Sequence, residues 1–464
     1  MPRRLLRVLA TASAALLAAS TQALPVYCPG PDALPADRLA PPALLAGANF
    51  EVDACARLVG HMGQFVLRPR FPAEADLPQP PALAVESLDL LAQRVAEMEA
   101  LQRLQAIGRV EAAGGAAWAS LQQTGSAVGT VLTRPVESVI GLPAGALRFV
   151  GRRAGELGRQ AADAGERAGE AMADTAAEDG LRLRPGAVPP PTPEAEPWWA
   201  SGGSLALRHG RRWLGYSAAR RDLAERLGLD PYSGNPWLDA EMDRLAWAAL
   251  IGRRGVGVGL GHLGPAAGTT LSASGRIHRM VWQNSPEEVA HWNRERLAVL
   301  RCASEARDEF FDNPRFSPSL QTAAVDALLA LAPQQGCELP LRLAAGVRRE
   351  VDARYLVDSL QLLAAAQPRF PLHFESFGQA LVLRDGEQRL WLAMPVDHLL
   401  WTADAQAYVD APGIEAVADR HLLLARSASP EARSALLARG WSLIEDAIEP
   451  ARAHAARLSA AAAP

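Results

Sequence analysis

The sequence contains no lysine; its 47 basic residues are all arginine. That absence excludes a Schiff base with pyridoxal phosphate, a Ser-Lys nucleophile dyad, the lysine of a phosphate-cradling loop and the lysine of a kinase site, since each needs an ε-amino group. Other signatures are missing too. There is no H-E-x-x-H, no G-x-S-x-G, no EF-hand loop and no C-x-x-C pair of the kind a structural zinc site uses. A G-x-G-x-x-G match at Gly259, Gly261 and Gly264 follows a helical pattern rather than a strand and runs into Pro265, so it reads as a glycine-rich loop and not as a dinucleotide site. No cofactor and no metal is expected.

Cysteine is scarce, and its count is informative. Cys28, Cys55, Cys302 and Cys337 are an even set. In an oxidising compartment such a set favours disulfides, and proximity along the chain pairs Cys28 with Cys55 and Cys302 with Cys337. Each closed loop then adds about 3–4 kcal/mol in the chain-entropy picture. An oxidising compartment is also what the start of the chain implies. Arg3, Arg4 and Arg7 precede an uncharged apolar run from Val8 to Ala19, followed by Ser20, Thr21, Gln22 and Ala23. This is the order of a secretory signal with cleavage after Ala23, and the run is shorter than the ~20 residues a membrane span needs. The expected location is the periplasm or the exterior. Without the signal the chain carries 44 basic and 51 acidic residues, a net charge of −7, which argues against nucleic acid as a partner.

Composition shifts divide the rest of the chain. Residues 24–82 form a Pro-rich, disulfide-containing segment that reads as irregular. Residues 83–180 read as a helical region: Leu88, Leu91, Val95, Met98, Leu101 and Leu104 recur every three or four places. Its later part, 135–175, is an unusual arm in which Leu147, Val150 and Leu157 lead a stripe that is otherwise Ala, flanked by Gly151, Gly155 and Gly158. Residues 181–200 include R-P-G-A-V-P-P-P-T-P-E-A-E-P, a linker of polyproline character. A helical domain is expected over 201–340 and an α+β region over 341–464.

Helix starts are clearly punctuated. Ser285 before Pro286 with Glu288 three places on is a capping box, and Ser317-Pro318 and Ser429-Pro430 repeat the Ser-Pro start. Helices are placed near 204–227, 237–252, 286–312, 318–332, 342–366 and 430–457. Asn235-Pro236 and Asn313-Pro314 share a second kind of helix lead-in, and the D-P-Y-S-G-N-P run around Tyr232 reads as a rigid connector. One hairpin is signalled near 381–393, where two apolar runs flank Asp385-Gly386, with His373 to Phe377 as a possible third strand. The predicted fold is therefore mainly α with a small antiparallel sheet in the last third.

Two places carry candidate function. The densest polar grouping is His373, Glu375, Asp397 and His398, which would offer an acid and a base if folded together; satisfied structural hydrogen bonds are the plainer reading. The second is the arm, whose small-residue stripe suits a closely approaching helix, or a membrane surface given Arg134, Arg148, Arg152 and Arg153 beside it. The expectation is an exported, non-enzymatic envelope protein that acts through protein-protein or membrane-surface interaction of residues 135–175. Its rivals are an envelope hydrolase acting on glycan or peptidoglycan, and a sugar- or lipid-binding module in which some of the eleven Trp stack on ligand. Oligomeric state is not legible.

Overall fold

The computed structural model describes residues 28–29, 33–70, 82–112, 197–199, 215–251, 279–377 and 380–461. The expected signal, the arm with Leu147, Val150 and Leu157, most of the linker and the glycine-rich run lie outside the described residues.

The first departure from expectation comes early. Strands β1 (Ala33–Pro35), β2 (Ala46–Gly47), β3 (Phe50–Val52), β4 (Cys55–Val59), β5 (Met62–Pro69) and β6 (Leu83–Glu86) form an antiparallel sheet ordered β1-β4-β5-β3-β2, with β6 also on β5. The central strand β5 alternates: Phe65 and Leu67 are fully buried while Gln64, Val66 and Arg68 face outward. Val59 pairs with Met62 across Gly60 and His61, both at positive φ, so β4 and β5 are joined by the two-residue turn that matches strand twist. The predicted fold class is corrected accordingly: the protein is mixed α+β with three sheets, and the largest occupies the stretch expected to be irregular. Prolines lie at the ends of these short strands, in Pro35 and Pro69, where a missing N–H costs the ladder little.

Helix α1 (Leu88–Ala112) follows at once, and Ser87 caps it by accepting from the Leu90 N–H. Leu91, Met98, Leu101 and Leu104 are buried. After the aromatic pair Trp198 and Trp199 come α2 (Tyr216–Leu227), α3 (Pro236–Ile251), α4 (Arg279–Gln283), α5 (Pro286–Leu297), α6 (Ser304–Asp312), α7 (Pro318–Leu331), α8 (Glu338–Ala345) and α9 (Glu350–Ala365). The capping box at Ser285 is formed in both directions, and Ser317 caps α7. Two of the expected helices are split. The one expected over 286–312 stops after Leu300, where Arg301 takes a positive φ beside Cys302, and the one expected over 342–366 breaks between Ala345 and Glu350. Both disulfides are formed, Cys28 with Cys55 and Cys302 with Cys337.

The last third holds β7 (His373–Phe377), β8 (Ala380–Arg384), β9 (Leu390–Met394), β10 (His398–Leu399), α10 (Ala403–Val409), β11 (Arg420–Leu424), β12 (Ser427–Ala428), α11 (Pro430–Ala438), β13 (Trp441–Ile444) and α12 (Ile448–Ala461). The predicted hairpin is β8-β9, turning at Asp385, whose carboxylate accepts the Glu387 and Arg389 N–H groups. The sheet around it is ordered β13-β11-β9-β8-β7, and β9, β11 and β13 run parallel, so it is not the small antiparallel sheet expected. Helices α10 and α11 supply the crossovers that parallel neighbours require. The helix expected over 430–457 is accordingly interrupted by β13, after Gly440 turns the chain with φ of 78°.

Buried apolar side chains fall into three clusters. A large one fills the space between α6–α9, the five-stranded sheet and α12; a second lies beneath the N-terminal sheet and the first half of α1; a third joins the second half of α1 to α2 and α3. From the N-terminal sheet only Met62 enters the large cluster. Among the described residues no helix is long and apolar enough to cross a membrane.

Candidate functional site

Parallel strands deliver their carboxyl ends to one side, the side where open α/β sheets usually carry polar function. Here Asp397 and His398 follow β9, Arg426 and Ser427 follow β11, and Glu445 follows β13. The N-terminal sheet docks against this edge. The carbonyl of His61, at the β4-β5 turn, accepts the N–H groups of Asp397 (3.1 Å) and His398 (3.2 Å), and the His61 ring Nδ1 accepts from Leu400 N. Accepting at Nδ1 places the ring proton on Nε2 when the imidazole is neutral.

Asp397 is the centre of the arrangement. One oxygen, Oδ2, accepts both Gly63 N (2.8 Å) and Leu88 N (2.9 Å), so a residue near the end of the chain caps the N-terminus of α1. Those bonds favour the charged form, but burial and the Asp89 carboxylate outweigh them and push the Asp397 carboxyl up to about 7. Asp358, half-buried on α9, is raised for the same two reasons against the pull of Arg452 and Arg354. Asp89 pairs with Arg452 (2.6 Å) and, more distantly, with Arg426 (3.5 Å); both arginines also reach Glu449. Among the described residues the buried Nε atoms of Arg426 and Arg452 have no hydrogen-bond partner.

The polar contacts continue along α1. Arg94 bonds Glu97 (3.1 Å), Ser233 (2.8 Å) and Glu350 (3.1 Å), and Glu97 also accepts from Gln93, Ser233 and Asn235. Asp89 lies near Asp358 and Arg94 reaches Glu350, so α1 and α9 run in opposite senses here. Arg349 extends the line to Glu86 (3.0 Å). A polar seam therefore joins the N-terminal sheet and α1 to α9, the carboxyl ends of the parallel strands and α12.

The four residues grouped from sequence divide into two pairs. His373 and Glu375 lie on the edge strand β7, where Glu375 forms a two-pronged ion pair with Arg384 on β8. Asp397 and His398 lie in the seam, and among the described residues the two pairs have no hydrogen-bond partner in common. His398 Nδ1 is 3.0 Å from Ser427 Oγ, and burial holds the imidazole below its usual pKa, hence neutral at pH 7 and able to accept the hydroxyl proton. Glu445 is kept ionised by Arg433 and by the Ala428 N–H. No group of three or more His, Cys, Asp or Glu among the described residues is arranged to hold a metal.

Sequence reasoning missed Asp89, Asp358, Arg426, Arg452 and His61. A signal existed for part of it: Asp89, Gln93 and Glu97, like Glu350, Arg354 and Asp358, are polar residues four apart, one helical face each. Around Tyr232, Trp198 stacks at 5.4 Å and Trp199 meets the ring edge-on at 5.8 Å, so both tryptophans pack on that residue. Trp391 is buried against His421, and Trp401 lies under Arg439 at the rim of the large core.

No protein-family model matches the chain, no curated protein matches it, and no solved structure matches it.

Proposed function

We propose that the protein works outside the cytoplasm, in the periplasm or beyond, as a non-enzymatic interaction protein, and that the part of the chain from 135 to 175 meets a helix of another protein. The observation that carries this reading is what flanks that stretch. The last described residue before it is Ala112, at the end of α1, and the first described residues after it include Trp198 and Trp199, which pack on Tyr232. A stripe of Ala with Leu147, Val150 and Leu157 buries too little area to form a core of its own but admits another backbone closely. Two disulfides support an oxidising location.

Replacing Leu147, Val150 and Leu157 together by Asp tests the reading. The variant keeps its folded circular dichroism and melting temperature but loses the proteins that co-purify with wild type from the envelope. Loss of liposome binding with unchanged co-purification assigns the arm to a membrane surface instead. If wild type has neither property, the arm is not an interaction element.

A second reading, an envelope hydrolase, is favoured by one contact, the neutral His398 beside Ser427 at the carboxyl ends of the parallel strands. The carboxylates that a glycan hydrolase would draw on are engaged elsewhere: Glu375 by Arg384, Asp397 by two backbone N–H groups. The hydrolase reading therefore comes down to a serine nucleophile, with the hydroxyl proton passing to Nδ1 as Oγ attacks a carbonyl. A fluorophosphonate probe then labels wild type at Ser427 and fails on Ser427→Ala; absence of labelling on wild type removes this reading.

A further inference from the structure

The polar seam joins parts of the molecule that have separate apolar cores. Near Asp397 stand Asp89 from α1 and Asp358 from α9, and Glu449 of α12 shares the arginines that face Asp89. The cations facing them are Arg452 from α12 and Arg426 from the link between β11 and β12, with Arg354 of α9 turned toward Glu350. Arg452 and Arg426 are thus shared between Asp89 and Glu449, while Arg354 also pulls on Asp358. Two histidines stand at the joint: His61, from the β4-β5 turn, whose Nδ1 is committed to Leu400 N, and His398, beside Asp397 and faced by Arg433 and Glu445, which burial holds below its usual pKa and which therefore works against the carboxyls as pH falls. Farther along, Glu86 has Arg349 and Arg94 has Glu350, so those ends of the seam are paired.

We infer that this seam is an acid-strengthened clasp, which grips the N-terminal sheet and the start of α1 tightly at acid pH and loosens as pH rises.

Three features of the joint support it. Among the described residues the buried apolar contribution of the N-terminal sheet to the large core is Met62 alone, so the contact between that sheet and the large core is mostly polar. Asp397 contacts it directly, through Gly63 and Leu88. The carboxyls of Asp358 and Asp397 are both raised, by burial first and by the neighbouring Asp89 second, against about 3.9 for an aspartate in an unfolded chain. A carboxyl raised on folding adds stability that is complete below the unfolded value and is lost as pH climbs toward the folded one. For Asp397 that window runs from about 4 to about 7. Glu350, held low by Arg354 and Arg94, stays ionised through it, so the paired part of the seam is not disturbed.

The test is amide hydrogen exchange on the full chain between pH 5.5 and 8, read at Gly63 and Leu88 and corrected for the intrinsic pH dependence of exchange. Because one pKa unit is a factor of ten in the underlying equilibrium, protection at both amides rises about tenfold or more on going from pH 8 to 5.5. In Asp397→Asn an amide oxygen still accepts both N–H groups, and the pH dependence shrinks. Protection that is flat or falls toward pH 5.5 in wild type overturns the inference. Carbon-13 titration of the Asp358 and Asp397 carboxyls in wild type gives an answer even where the variant does not fold: at least one of the two titrates above pH 6, and titration of both below pH 6 overturns the clasp.

Discussion

Gly63 shows how little room the joint leaves. A Cβ there would stand 2.6 Å from Cε2 of Phe65 and 3.4 Å from Asp397 Oδ2. Phe65 is fully buried two residues along the same strand and face, so its ring cannot swing away. Gly63→Ala therefore overpacks a filled site, a change that costs about 1–3 kcal/mol. Thermal unfolding should show a lowered midpoint, whereas an unchanged one would mean that the ring has space the structure does not show. Asn235 and Asn313 illustrate a different point about single residues. Both precede a proline, yet Asn235 caps α3 with its oxygen and anchors Glu97 with its nitrogen, while the Asn313 amide satisfies the carbonyls of Ala344 and Val347. The same dipeptide serves two sites because its two ends are chemically distinct.

At the scale of elements, what was legible is what is local. Ser285-Pro286 with Glu288 specifies α5 from four consecutive residues, and Asp385-Gly386 specifies the β8-β9 hairpin. The apolar recurrence from Leu88 to Leu104 located α1 within a few residues, although its first expected turn is β6 instead. The N-terminal sheet was illegible as a sheet because five of its six strands are five residues or shorter, and only β5 is long enough for alternation to show. β13 was hidden for a related reason: in Trp441–Ile444 only Trp441 is buried, so the strand exists through its pairing with β11 and not through an apolar pattern. Gly440, at positive φ after α11, was the available clue that the helix stops. The seam lies beyond any local signal. Positions 89, 358, 397 and 452 meet only after the chain has folded.

Taken whole, the described part of the molecule is a body stapled by two disulfides with a polar joint. The N-terminal sheet, pinned to residue 28 by a disulfide, sits on the carboxyl ends of the parallel strands, and α1 leads from that joint past Ser233 and Asn235, the neighbours of the Tyr232 on which Trp198 and Trp199 pack. The construction makes mechanical sense if residues 135–175 must be held by a firm base while they engage something else. The absence of lysine shapes how this is tested, because amine-directed crosslinkers find no side chain to react with. A photo-crosslinking amino acid placed in turn at Leu147, Val150 and Leu157, with the exposed body position Val299 as the comparison, avoids that obstacle. Irradiation in intact cells followed by mass spectrometry is the most direct measurement of the interaction claim. The account predicts a discrete adduct to another protein from the three arm positions and none from Val299; adducts from Val299 alone, or from no position, would contradict it.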